Sequence, residues 1–115
     1  MTEDHRGLEI LAGSTLMQVC IGEHQVIMNF DRELSVSVET EVSAAPADAG
    51  QECWVGPPAA GSALLAFLGQ SVDDARIEEN GDLVVSFGNG QVHVRRMLGG
   101  GESFEITGPG VNLIY

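Results

Sequence analysis

Few side chains in this chain could do chemistry: His5, His24, His93, Cys20, Cys53 and a surplus of carboxylates. Nucleophilic catalysis needs a Ser or Cys within reach of a base that a third group orients. No G-x-S-x-G elbow occurs. His5 lies in a polar leading segment, and His93 sits between Val92 and Val94 on the polar side of an alternating run. Cys20 and the distant His93 would become a dyad only if the fold assembled them. A metal site would have to draw on Cys20, His24, Cys53 and His93. Along one extended strand, positions 20 and 24 stand roughly 13 Å apart, too far to share an ion unless a turn folds them together. Neither C-x-x-C nor H-x-x-x-H spacing is present. A Cys20–Cys53 disulfide is the other use of these thiols, but two cysteines in a cytoplasmic chain are more often reduced.

Acid–base work by carboxylates is harder to exclude, because acidic residues occur throughout the chain. Asp73-Asp74 and Glu78-Glu79 are adjacent pairs, and neighbours on a strand point to opposite faces, so they do not converge. The glycine run at residues 99–101 lacks the Lys-Ser/Thr of a phosphate loop and no helix follows it. The sequence therefore offers no catalytic residue, no metal ligand and no cofactor site. Binding chemistry remains. Glu39, Glu41, Glu78, Glu79 and Asp82 are candidate acidic contacts for a basic protein. Trp54 is a candidate contact because aromatic side chains with a polar handle are enriched at interfaces. Its competing role is to anchor a long loop onto the core.

Composition narrows the partners. The 115 residues hold five Arg, no Lys and 17 acidic residues, a formal charge of −12. Nucleic acid and anionic membranes both require clustered positive charge, which only Arg95-Arg96 supplies, so neither is an expected partner. Acidity alone also serves solubility. Apolar content of 43 % and fifteen glycines fit one globular domain with many turns across residues 1–115. No run of about 18 apolar residues occurs, and MTEDHRGLEI is not a secretory leader. The expected location is the cytoplasm.

The elements that would position these residues are mainly strands. Residues 16–42 read as three strands joined by tight turns. Within them residues 34–42 alternate Leu34, Val36, Val38, Thr40 and Val42 against Ser35, Ser37, Glu39 and Glu41, an apolar face backed by a wet one. Residues 16–21 are apolar on both faces, which suits a covered central strand. Residues 75–97 repeat the scheme, with Asn80-Gly81 as a hairpin turn. The segments VIMNFDRELSVSV (residues 26–38) and LVVSFGNGQVHVR (residues 83–95) share a form, either an old duplication or two hairpins that look alike. Residues 1–7 lack an apolar pattern and should be flexible. Residues 8–11 read as a short strand or turn, residues 43–58 as a long loop, and residues 59–69 as one short helix with Gly69 as its stop. Residues 103–107 and 111–115 add final strands, the last at a sheet edge. The expected class is α+β and predominantly antiparallel: two three-stranded units plus C-terminal strands, as a sandwich or half-open barrel, with one short helix.

Leu11-x-Gly13, Gln18-Val19, Phe30-Asp31, Leu34-x-Val36, the run from Leu83 to Gly90, and Glu102-Ser103 before Ile106-Thr107-Gly108-Pro109 resemble a family of small bacterial domains of unknown function. Phe104 stands where that pattern has Trp. The resemblance spans nearly the whole chain, implies a self-standing domain, and carries over no catalytic residue. The reading is a non-enzymatic protein-binding module, in one form an immunity- or inhibitor-like protein for a basic target. The alternatives are a small-molecule binder or enzyme with a pocket between sheet and helix, and a homo-oligomer pairing through an edge strand such as residues 111–115.

Overall fold

Alternating β-branched and polar residues build strands that bury one face. In a computed structural model, which describes residues 6–46, 54–96 and 103–115, those strands form two antiparallel sheets. One sheet holds, side by side, β1 (Leu16–Ile21), β2 (Val26–Phe30), β3 (Ser35–Val38), β8 (Phe104–Gly108) and β9 (Val111–Ile114). The other holds β4 (Val42–Pro46), β7 (Gly90–Val94), β6 (Leu83–Phe87) and β5 (Val72–Ile77). Their inner faces share one core, with Val26, Met28, Val36 and Ile106 from the first and Leu83, Val85, Val92 and Val94 from the second. Leu8 and Leu11, in and after the single turn α1 (Arg6–Glu9), join this core, as do Leu64 and Phe67 of α2 (Ala59–Leu64) and its 3₁₀ extension (Leu65–Phe67). The result is a predominantly antiparallel α+β domain whose sheets do not close into a barrel. No helix of the described residues is long and apolar enough to cross a membrane.

The two halves of the chain exchange backbone bonds reciprocally where they meet. The Gly13 N–H donates to the Val72 carbonyl and the Gly69 N–H to the Leu16 carbonyl, both at 2.8 Å. The Val72 N–H donates to the Ser14 carbonyl at 2.8 Å, and the Leu16 N–H to that of Gln70 at 3.0 Å. Thr15 and Ser71 bridge between these exchanges, their hydroxyls 3.2 Å apart. Each following strand carries an irregularity at the same place, between Leu16 and Gln18 in β1 and between Val72 and Asp74 in β5. Each half then completes the other half's sheet. Val38 of β3 pairs with Phe104 of β8, and Val94 of β7 pairs with Val42 of β4. Val55 closes on Val42 as Tyr115 closes on Phe104. The repeat suggested by the sequence is thus present as a pseudo-twofold arrangement. Its register differs by one step in β3 and β7, because Asp31, Arg32 and Glu33 separate β2 from Leu34, whereas only Gly88 and Asn89 separate β6 from Gly90.

Several local expectations are corrected. Residues 34–42 are not one strand: the chain leaves the first sheet after Val38 and enters the second at Val42. Thr40 is buried at this crossing, and its hydroxyl has no hydrogen-bond partner among the described residues. β1 lies at a sheet edge rather than in its centre, with β2 as its only strand neighbour in the sheet, and its Met17 and Ile21 are exposed at that edge rather than covered. The loop expected over residues 43–58 begins as β4, which the small residues Ser43 and Ala44 continue, and Val55 is bridged to the same strand. The α-helix ends at Leu64 and tightens into the 3₁₀ turn, with Gly69 at φ 82° ending the segment. Residues 8–11 continue from a helical turn, not a strand, and Arg6 and Gly7 of the expected flexible segment belong to that turn. Residues 1–5, Cys53 and the glycines at 99–101 fall outside the described residues. β9 is at the expected edge.

Gly13 and Gly69 hold φ values of 86° and 82°, a region that costs an L-residue roughly 1–2 kcal/mol. With no atom closer than 3.8 Å to a Cβ at Gly13 and none within 4 Å at Gly69, the backbone sets the cost. Gly13→Ala and Gly69→Ala should each lower unfolding free energy by about 1 kcal/mol in urea melts, and by similar amounts. Thr40→Val should raise it by about 1 kcal/mol, since it replaces an unsatisfied buried hydroxyl with a methyl group of similar size.

Candidate functional site

The outer face of the four-stranded sheet carries the densest set of polar and aromatic side chains. Strand pairing aligns Ser43, His93, Val84 and Arg76 in one row across β4, β7, β6 and β5. Because Val55 closes inward on Val42, alternation turns Trp54 outward at the end of this row. The Trp54 and His93 rings stand 5.9 Å apart, and the Arg95 guanidinium lies 4.2 Å above the indole. That guanidinium also donates to a Glu41 carboxylate oxygen at 2.6 Å. Toward the other edge, His93 Nε2 lies 3.8 Å from Glu78 Oε1. The same oxygen accepts from Arg76 at 3.5 Å, and Arg76 reaches Asp74 at 3.4 Å. The result is a continuous chain of contacts from Glu41 through Arg95, Trp54, His93, Glu78 and Arg76 to Asp74.

Burial shows what this layer does physically. Val84 points away from the main core yet is fully buried, flanked in its row by His93 and Arg76. Ser43 is buried in the same row. The ion pairs add little stability, because Arg95 and Glu41 keep 40 % and 43 % of their side-chain surface exposed, where such pairs are worth about 0–1 kcal/mol. The arginine stacked on the indole is instead held in place by contacts on two sides, which fixes its direction.

The pseudo-twofold relation supplies an internal comparison. In the five-stranded sheet the equivalent row is Ile114, Glu105, Ser37, Ile27 and Cys20. The same scaffold position that holds Trp54 therefore holds Ile114, and that of His93 holds Ser37. Glu39 takes the place of Arg95, since the Glu39 N–H donates to the Ser103 carbonyl just as the Arg95 N–H donates to that of Glu41, each at 3.0 Å. The fold does not require the Trp–Arg–His layer.

Of the residues singled out from the sequence, Trp54, Glu41 and Glu78 come together on this face. Glu39 does not: the crossing between β3 and β4 leaves it with the other sheet, so the wet strand face expected for Glu39 and Glu41 is divided. Asp82 is structural in the β5–β6 turn, accepting from the Arg96 N–H at 2.9 Å and the Asn80 side chain at 3.2 Å. Glu79 is exposed on that turn. Cys20 and His93 lie on different sheets and form no dyad. Cys20 instead takes a 3.5 Å contact from the Asn29 amide. Arg76 was not singled out, His93 was named only as a base or metal ligand, and Arg95 only as half of the one basic pair. Their signal was the alternation of His93 and Arg95 on one side of β7.

Val84→Ala should cost about 2 kcal/mol although it lies outside the main core, because the outer layer will not collapse onto the space. Its pseudo-equivalent Ile27→Ala, at a half-buried position, should cost less. Parallel denaturant titrations of the two variants measure the difference.

Comparisons with known proteins agree with a domain that spans nearly the whole sequence. No curated protein and no solved structure matches the chain. A family model does match, over residues 8–115, from the first core leucine to the terminal tyrosine. The chain belongs to this family, described as a family of unknown function (DUF6188).

Proposed function

We propose that the chain is a non-enzymatic protein-binding module and that its contact surface is the Trp54 face of the four-stranded sheet with its acidic margin. The observation that carries this reading is the Trp54–Arg95–Glu41 stack at a position where the other half of the same scaffold has Ile114 and Glu39. Trp and Arg are the side chains that most often dominate interface energetics. Here they are already oriented in the free chain, which lowers the entropy cost of docking.

The margin supplies the sign of the partner. Asp73, Asp74, Glu78, Glu79 and Asp82 follow one another along β5 and its turn, with Arg76 the only cation among them. Charge on an edge strand also blocks edge-to-edge pairing, but the same carboxylates steer a basic surface toward the aromatic face. An immunity- or inhibitor-like role toward a basic protein is the concrete form of this function.

The test is capture from a lysate of the source cells on immobilised wild-type protein, Trp54→Ala, and Asp73→Asn/Glu79→Gln. A basic protein should be retained at low salt, be released as salt rises, and be bound at least tenfold more weakly by Trp54→Ala. The double charge variant should bind more slowly and with a flatter salt dependence. Equal capture by wild type and Trp54→Ala would rule out this face as the contact surface.

A further inference from the structure

The exposed apolar residues of the described chain gather at one place. Met17, Ile21, Leu65, Leu68 and Ile114 are its exposed large hydrophobics, and all but Ile114 lie on or beside the free edge of β1. Met17 and Ile21 are 62 % and 47 % exposed on the strand itself. Leu68 precedes Gly69, whose N–H is bonded to the Leu16 carbonyl. The Ile21 side chain packs where a Cβ on Gly61 would stand, one helical turn before Leu65. The patch thus runs from the strand edge onto α2 and its 3₁₀ extension.

The edge beneath the patch is unguarded by charge. Among the described residues β1 has β2 as its only strand neighbour in the sheet, beyond the bonds of Leu16 at its start to Gly69 and Gln70, and its sequence, LMQVCI, has neither a charged residue nor a proline. Natural edge strands are ordinarily guarded by charge, proline, bulges or covering elements. The pseudo-equivalent edge in this chain is charged: β5 places Asp73, Asp74 and Arg76 where β1 has Met17, Gln18 and Cys20. Both strands carry the same irregularity near their start, so charge is what distinguishes them. β4 ends in Pro46 and is bridged by Val55. β9 is uncharged but has one exposed large hydrophobic, Ile114. One scaffold thus carries the same edge twice, once charged and once apolar.

We propose that β1 is a self-association edge, and that a second copy of this chain pairs with it antiparallel about a twofold axis centred on Val19. The occupant follows from charge and symmetry. Two chains of formal charge −12 repel one another overall, so a contact between copies is least opposed along an uncharged apolar edge, and β1 is such an edge. Antiparallel pairing of one strand with itself is the isologous arrangement a twofold requires. Centred on Val19, it sets Met17 against Ile21 of the second copy, and Gln18 against Cys20. Met17 and Ile21, exposed in the single chain, then cover each other, and the first sheets of the two copies join into one. This contact is independent of the Trp54 face, which lies on the other sheet.

The test needs no other partner: light scattering and analytical ultracentrifugation of the full chain over a concentration series. Wild type should approach twice the 12.1 kDa chain mass as concentration rises. Met17→Asp/Gln18→Asp copies the Asp73-Asp74 pair that the scaffold already accepts at the equivalent edge. It should stay folded by circular dichroism and raise the dimer dissociation constant at least tenfold. In a Cys53→Ser background, Gln18→Cys should form a disulfide between the introduced thiol and Cys20 of the second copy on mild oxidation, which fixes the register. A strict monomer at all concentrations, or a dimer that the double aspartate variant leaves intact, overturns the proposal. Failure of Gln18→Cys to crosslink overturns the Val19-centred register.

Discussion

The reciprocal exchange of backbone bonds and strands between the two halves is the constraint on which the other features rest. Each three-stranded unit would leave an apolar face and an open edge if it stood alone. Here β8 completes the sheet begun by β1, β2 and β3, and β4 completes that of β5, β6 and β7. Because the exchanged strands bring Val42, Phe104 and Ile106 into the shared core, neither half can bury its interior without the other. Cooperative folding of the whole unit follows from that mutual completion. The glycines at the Thr15–Ser71 bridge make the close approach feasible, since each must turn with positive φ shortly before its strand.

Once the inner faces are committed to a common core, the outer faces are free to differ, and they do. One sheet presents Gln18, Asn29, Ser35, Thr107 and Asn112 in a row of amides and hydroxyls, linked where Asn29 donates to Gln18 at 3.1 Å. The other presents charges, an imidazole and an indole. The layer over Val84 has a structural role, since it seals a buried side chain outside the core. That role alone does not need Trp, Arg and His, because the equivalent Ile27 is served by Ser37 and Cys20. The difference between equivalent positions separates what folding demands from what it merely permits.

Much of the strand architecture was legible from alternation, because burying one sheet face imposes period two directly on the chain. The hairpin at Asn80-Gly81 and the edge position of residues 111–115 were legible from local signals as well. The crossing at Thr40 was not. A strand that switches sheets keeps its alternation, since Val38 and Val42 both face the single core that lies between the sheets. Periodicity cannot register the change. The edge position of β1 was hidden differently: its apolar residues resemble those of a covered central strand, and only the sheet order shows that no further strand among the described residues lies beside them. The Trp54 layer depends on the bridge of Val55 to Val42, a long-range pairing with no local signature, so Glu41 and Arg95 could not be matched from the sequence.

Charge is therefore distributed by edge as well as by composition. The carboxylates of β5 act over a distance of about a Debye length, roughly 8–10 Å at moderate salt, and favour approach by a basic surface. The apolar residues along β1 act only on contact, and lose their effect unless shape and register match. These two edges sit on different sheets. In a pair joined through β1, the twofold would present two Trp54 faces and two acidic margins on one body. Binding to a partner with repeated basic surfaces would then gain from effective concentration without any new contact. The asymmetry between two otherwise equivalent edges would make that combination available.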